Sequence, residues 1–400
     1  MSLIEIFREA DEDTLRQRSQ IILDKIEDGS IDPSTFSIRE VYEATIGPQL
    51  SLSRLMEATP GSEYTLFREE VGQVRTSAFT NIQGKIILDG VMEGYKAEPL
   101  IGEQLFDVFT DRDDGGRWGG LSDIDDDALI VKEGKEYPST NFGEDYVTTP
   151  HSEKRGLRIG VTKEMLHFDK TNLVRRNAME VGKRVAVNRE VRMLRVFIGY
   201  VNPYNRRNEG YTATYQSNTA LPRTNLFSGM ELVDWTDIDA MLQKFADMRD
   251  DRTPGEPIEV MPRQLVVMPA KIMTARRILN AAEVRHSGSN IETISANPIT
   301  ENYEILGSAR LYQLLQLGWV DSDYTGTTFA TVAAADAAKI WFAGDFKKTF
   351  KYRTIFPMAT ITAGPDHPDN FGKDVILQAR ASERGVPFVV DPWYSMKLTG

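Results

Sequence analysis

Residues 171–200 read TNLVRRNAMEVGKRVAVNREVRMLRVFIGY, and this run decides the architecture. Val174, Ala178, Val181 and Val185 recur at helical spacing, and after a slip the stripe continues through Val187, Val191, Leu194 and Ile198. The spacing predicts one helix of about 30 residues, roughly 45 Å long at 1.5 Å per residue. That exceeds an ordinary core helix. Its remaining faces carry Arg175, Arg176, Lys183, Arg184, Arg189, Arg192 and Arg195 against Glu180 and Glu190, a net charge of +5.

Just upstream, residues 101–150 hold 13 acidic side chains against 4 basic ones, a net charge of −9. Asp111, Asp113, Asp114, Asp123, Asp125, Asp126 and Asp127 gather around Gly115, Gly116, Gly119 and Gly120. Burying them unpaired would cost several kcal/mol per ion, so the segment must meet water or a positive partner. It reads as two long strand arms around an acidic tip, the second arm returning through residues 156–161. A long projecting loop is uncommon unless it has a task. An acidic excursion beside a basic helix suits contacts between copies of one chain, and the Asp123 to Asp127 cluster is expected near arginines of another copy. The basic helix itself admits three readings that can coexist: a solvated face over a core stripe, a partner for the acidic loop, or a surface toward phosphate.

The bulk composition sets limits. Four hundred residues with 41% hydrophobic content can bury a large core, normally in two or three compact units. A net charge of −12 excludes duplex binding by the whole surface and leaves only a local basic face for it. The absence of cysteine removes disulfides, thiolate metal sites and thiol nucleophiles. The first residues, MSLIE, lack the basic lead and apolar run of a secretion signal, and no apolar stretch approaches the ~18 residues that span a bilayer. Intracellular synthesis without a membrane partner is the expectation.

Elsewhere the pattern predicts a helix from Thr14 to Asp28 stopped by Gly29, and a second opened by a Ser37 to Glu40 capping box and closed at Gly47 and Pro48. Residues 55–75 read as an irregular or strand-containing arm. Phe79, Ile82, Ile86 and Ile87 mark a short helix toward Tyr95, weakened by Gly84, Gly90 and Gly94. From Trp235 the texture turns α/β: a helix capped by Thr236 with Asp239, a buried strand over residues 264–268, a helix opened by Pro269, and one over residues 308–317 stopped at Gly318. Strands follow at residues 341–346, 349–362, 375–381 and 386–390.

Enzyme chemistry is not signalled. The run Asp111 to Gly115 departs from a calcium loop, with Gly115 and Gly116 at its fifth and sixth positions and Ser122 at its twelfth. Its glycines form no phosphate cradle. His151, His167, His286 and His367 have no metal spacing, and nucleophile elbows are absent. No cofactor, metal or catalytic residue is expected.

The run Phe79-x-x-Ile82-x-Gly84, the segment Gly160-Val161-Thr162-Lys163-Glu164-Met165 leading into Arg175-Arg176-Asn177-Ala178-x-x-Val181-Gly182-x-x-x-Ala186-x-Asn188, and the ending Trp341-x-x-Gly344-Asp345 with Ala381-Ser382-Glu383-Arg384-Gly385 resemble major capsid proteins of tailed bacteriophages and prophages. The resemblance covers residues 75–400. It implies an α+β fold of the Hong Kong 97 type: an N-terminal helical arm (1–78), a short helix (79–100), an extended β-hairpin loop (101–163), a peripheral domain with a long spine helix (164–234 and 336–400), and an axial domain (235–335). It further implies self-assembly through hexamers and pentamers into an icosahedral virion shell around packaged double-stranded DNA, touched nonspecifically, with portal and cement or scaffolding proteins as partners and assembly in the host cytoplasm. Relatives of this fold can crosslink a loop lysine to a neighbour's asparagine; Lys132 and Lys135 lie in the matching region, but no partner asparagine can be matched. The alternative on the same fold is an encapsulin-like nanocompartment enclosing protein cargo.

Overall fold

In the computed structural model the described residues are 12–29, 37–47, 49–58, 71, 73–119, 146–168, 173–217, 224–249, 258–288, 291–297, 299, 303–364 and 375–400. Helices lead the chain. α1 (Glu12–Glu27) stops at Gly29, whose φ of 71° suits glycine. α2 (Ile38–Thr45) opens with the expected capping box: the Glu40 amide donates to the Ser37 hydroxyl at 3.1 Å, and the Ser37 amide donates to the Glu40 carboxylate at 3.0 Å. Ser37→Ala is expected to lower stability by about 1 kcal/mol in urea denaturation. α3 (Leu52–Glu57), capped by Ser51, takes in residues 55–57 of the expected irregular arm, because Leu52 and Leu55 share one buried face; residues 59–70 and 72 of that arm lie outside the described residues.

The helix expected at 79–95 is α4 (Gln73–Ala97), 25 residues long. Two of the three glycines read from sequence as a weakness, Gly90 and Gly94, are where a second helix touches it, while Gly84 faces Thr362. A Cβ at Gly94 would stand 2.0 Å from the Met179 carbonyl oxygen, and one at Gly182 would stand 2.0 Å from that of Val91. Backbone meets backbone, so only glycine fits.

The expected pair of long arms at 101–163 is subdivided. α5 (Gly102–Leu105) and β1 (Asp107–Thr110) precede a short antiparallel ladder of β2 (Gly116–Gly119) with β3 (Tyr146–Thr149), and β4 (Glu153–Thr162) is the returning strand. α6 (Lys163–Phe168) leads to the spine helix α7 (Leu173–Phe197), 25 residues against the 30 expected. Gly199, at φ 77°, turns the chain away just beyond its end.

After β5 (Leu226–Ser228), α8 (Trp235–Ala246) takes its cap from Asp234 with Asp237, not from Thr236 with Asp239. The Thr236 hydroxyl instead donates to Asp234. β6 (Gln264–Val267) is followed by a 3₁₀ turn at Pro269–Lys271 and α9 (Ile272–Asn280). The hairpin of β7 (Glu283–Gly288) and β8 (Ile291–Ala296) was not foreseen; β9 (Glu304–Gly307) and α10 (Ala309–Leu317), closed by Gly318 at φ 66°, follow. The remaining strands are β10 (Trp319–Val320), β11 (Thr328–Phe329), β12 (Trp341–Gly344), β13 (Phe350–Ala363), β14 (Val375–Val389) and β15 (Ser395–Thr399).

The chain divides into two compact units, Met1–Pro99 with Lys154–Arg189 and Phe356–Arg384, and Leu100–Glu153 with Glu190–Ile355 and Gly385–Gly400. The first packs Phe79, Ile82, Ile86, Ile87 and Val91 of α4 with Val174 and Ala178 of α7 and with Ile376 and Leu377 of β14. The second is built on a five-stranded sheet ordered β5-β15-β12-β6-β9. Its strands come from both sides of the boundaries expected near 235 and 335. Val266 and Phe342 enter one core while Leu265, Val267, Trp341 and Ala343 enter another, so strand alternation buries both faces. Within the second unit β1 also runs parallel to the start of β13, from Asp107 opposite Lys351 to Thr110 opposite Thr354.

Candidate assembly site: the loop root and the spine helix

β2 and β3 pair on either side of the acidic segment 120–145, which lies outside the described residues, with Gly119 opposite Tyr146. One buried cation holds this root. Arg353 of β13, 3% exposed, donates to the Gly115 carbonyl at 3.0 Å, the Thr149 hydroxyl at 2.9 Å and the Pro150 carbonyl at 2.9 Å. The guanidinium thus ties the outgoing strand to the returning one. Asp111 approaches it at 4.0 Å, and the Asp114 carboxylate accepts from the Ser152 amide at 2.6 Å. Burial pulls the Arg353 pKa below its ordinary value, while Asp111, Asp114 and Asp113 oppose that shift. Phe109, Trp118 and Phe388 form an aromatic triangle with centroids 5.0, 5.8 and 6.2 Å apart, and the guanidinium lies 5.5 Å from the Phe388 ring. Of the acidic residues singled out in the sequence, Asp111 and Asp114 therefore have tasks within their own chain. Asp123, Asp125, Asp126, Asp127, Lys132 and Lys135 lie outside the described residues.

A second anchor fixes the entry to this region. Glu190 of α7, 2% exposed, accepts from the amides of Ile101 at 3.1 Å and Gly102 at 2.9 Å, where α5 begins. Burial raises its pKa, and the two amide hydrogen bonds work against the rise. The sequence reading counted Glu190 only as a charge. Its signal was present: Ala186, Met193 and Phe197 are buried at helical spacing around it, so it interrupts an apolar stripe. Arg353, missed entirely, stands between buried Tyr352 and half-buried Thr354 in a strand otherwise rich in apolar and β-branched residues.

The spine-helix cations are mostly engaged at home. In the first unit, Arg175 pairs with Glu93 at 2.6 Å, Lys183 with Glu98 at 3.0 Å, and Arg184 with Glu180 at 3.0 Å. Arg189 donates to the Tyr95 hydroxyl at 2.8 Å, which donates to Glu383 at 3.1 Å. In the second unit, Arg192 donates to the Gly385 carbonyl at 3.0 Å, and Arg195 stacks 3.4 Å from the Trp319 ring centroid. Arg176 is exposed. Within the first unit an open groove of about 500 Å³ is lined by Lys154, Arg155, Gly156 and Leu157 of β4, Arg184, Val185 and Asn188 of α7, and Glu383.

Among the described residues no three His, Cys, Asp or Glu side chains gather as a metal site, and no helix is long and apolar enough to cross a membrane. The His151 ring lies 3.1 Å from the Asp114 carbonyl, and His167 packs against Phe168. His286 sits in β7 opposite Thr293, and His367 lies outside the described residues.

A sequence profile described as phage capsid protein matches residues 146–393, well over half of the chain. The chain belongs to that family. The matched span contains the segments 160–188, 341–345 and 381–385 that carried the resemblance, while the run 79–84 lies before it, and the mixed architecture of this capsid protein is the α+β, Hong Kong 97-type coat fold expected from them. It is a structural protein of a phage capsid shell. Solved structures similar to the capsid protein include the capsid of Cyanophage P-SCSP1u, at 14% identity and TM-score 0.47, covering 76% of this chain and 88% of that one. Mycobacterium phage Bobi is similar at 8% identity and TM-score 0.42, covering 76% and 90%. A virus-like particle from Pyrococcus furiosus is similar at 9% identity and TM-score 0.36, covering 78% and 98%. No curated protein matches the capsid protein by sequence.

Proposed function

We propose that this capsid protein is the major head protein of a tailed phage or prophage, closing into an icosahedral shell of hexamers and pentamers around packaged double-stranded DNA. The observation that carries the assembly reading is the loop root: a strand-paired, arginine-clamped base from which an acidic segment departs. Residues 120–145 hold eight Asp or Glu against two Lys. We assign their partner to the groove of Lys154, Arg155 and Arg184 on another copy, a heterologous contact of the kind that repeats around a ring. Each exposed pair contributes only ~0.2–1 kcal/mol, so charge sets register and salt sensitivity while strand and apolar contacts hold the shell. Nonspecific DNA contact falls to exposed basic residues such as Arg176.

Electron microscopy of the purified chain is expected to show closed particles, and particles recovered from infected or induced cells should hold nuclease-protected DNA. Protein cargo in its place would favour the nanocompartment reading. Changing Asp125, Asp126 and Asp127 to Lys is expected to disturb assembly, and adding Lys154→Glu with Arg184→Glu should restore part of it. Normal particles from the triple variant would sink the loop contact.

A further inference from the structure

The turn between β10 and β11 carries a residue spacing that shell formation leaves unused. Residues 321–327 read DSDYTGT, with carboxylates at Asp321 and Asp323, a hydroxyl at Thr325 and glycine at Gly326. Those are the first, third, fifth and sixth positions of a calcium-binding loop. The turn is closed: the Asp321 amide donates to the Thr327 carbonyl at 2.9 Å and the Gly326 amide to the Asp321 carbonyl at 2.8 Å. Gly326 takes φ +68° with open space where a Cβ would stand.

Asp321 is 1% exposed, and its Oδ2 accepts from the Thr325 hydroxyl at 2.7 Å and from the amides of Thr325 and Asn202 at 3.2 Å each. Two of those donors belong to the turn, so Oδ2 is held against it. Its Oδ1 is buried and meets no donor among the described residues. A charged oxygen so placed is costly unless a water or a cation faces it. The surroundings are also negative. The Tyr324 hydroxyl is held above its ordinary pKa by burial first, then by Tyr211, Asp323, Glu153 and Asp321. Neither Asp321 nor Asp323 has a Lys or Arg partner among the described residues.

We propose that this turn binds a calcium ion through Asp321 Oδ1, the Asp323 carboxylate and the Thr325 hydroxyl, with Glu153 adding negative charge nearby. Two carboxylates with neutral oxygens suffice for calcium, which takes oxygen ligands in flexible geometry; magnesium is more exacting. The twelfth position is Val332, not a bidentate glutamate, so affinity falls in the weak range of roughly 10⁻⁴ to 10⁻³ M. The site is independent of the assembly reading.

Terbium titrated into the purified full chain tests it, because the Tyr324 ring lies in the turn with the Tyr211 ring 4.9 Å away, positioned to sensitise emission. Saturable emission displaced by calcium more readily than by magnesium is expected. Asp323→Asn, at an exposed position, should weaken terbium binding at least tenfold without loss of fold. A variant with Asp125, Asp126 and Asp127 changed to Asn should keep the signal. Absent emission, emission unchanged by Asp323→Asn, or emission lost in the Asp125, Asp126 and Asp127 variant would each overturn the assignment.

Discussion

Arg353→Met is expected to cost about 3–5 kcal/mol and to abolish shell formation. The lost guanidinium leaves the Gly115 and Pro150 carbonyls and the Thr149 hydroxyl without their donor, and strands Asp111 beside an apolar side chain. Arg353→Lys should recover little, because a single ammonium cannot reach three acceptors spread across two strands as a planar fork does. Hydrogen exchange separates this from general unfolding. Protection should fall at Gly116–Gly119 and Tyr146–Thr149 while the strands Gln264–Val267 and Trp341–Gly344 keep theirs. Retained protection at the root would count against the clamp. Lost protection with normal shells would instead count against the loop contact.

The second large effect is expected at the crossing of α4 and α7. Gly182→Val places a branched side chain where even a Cβ would sit 2.0 Å from the Val91 carbonyl oxygen, and the obstacle is backbone, which cannot turn aside. The helices must separate, at a cost of about 3 kcal/mol or more, read as a lower urea midpoint. Gly84→Ala is the control. There the nearest atom is the Thr362 hydroxyl, a side chain able to rotate, and removing a helix-interior glycine returns roughly 0.5–1 kcal/mol of backbone entropy. Equal losses from both substitutions would refute the close crossing.

What the sequence made legible followed from local chemistry. The Ser37 capping box, the Gly29 and Gly318 stops and the strand at Gln264–Val267 are each dictated within a few residues, and each stands where expected. The family resemblance lay in the order of such elements, which survives divergence of individual side chains. Errors arose where a long-range partner decided the outcome. Gly90 and Gly94 lower helix propensity in isolation, yet α7 makes them the contact surface, a tertiary gain that local pattern cannot anticipate. The basic helix looked like free charge because Glu93, Glu98 and Glu383, its counter-ions or their relays, lie far away in sequence. Asp234 displaced Thr236 as a cap because the two side chains bond each other and only one residue precedes the first turn. Of the candidate site, the charge asymmetry was visible; Arg353 was not, since a lone cation in a strand ordinarily marks the solvent face and its acceptors at Gly115, Thr149 and Pro150 lie some 200 residues or more away.

The pairing of Gly119 with Tyr146 sets the length of a leash. Between them run 26 residues, numbers 120–145, so an out-and-back path has at most 13 each way, a span of about 40 Å at ~3.3 Å per residue. In the proposed loop contact, the groove on the other copy must stay inside that radius. Swelling or flattening of a lattice that carried the groove farther would break the grip, however favourable its charges.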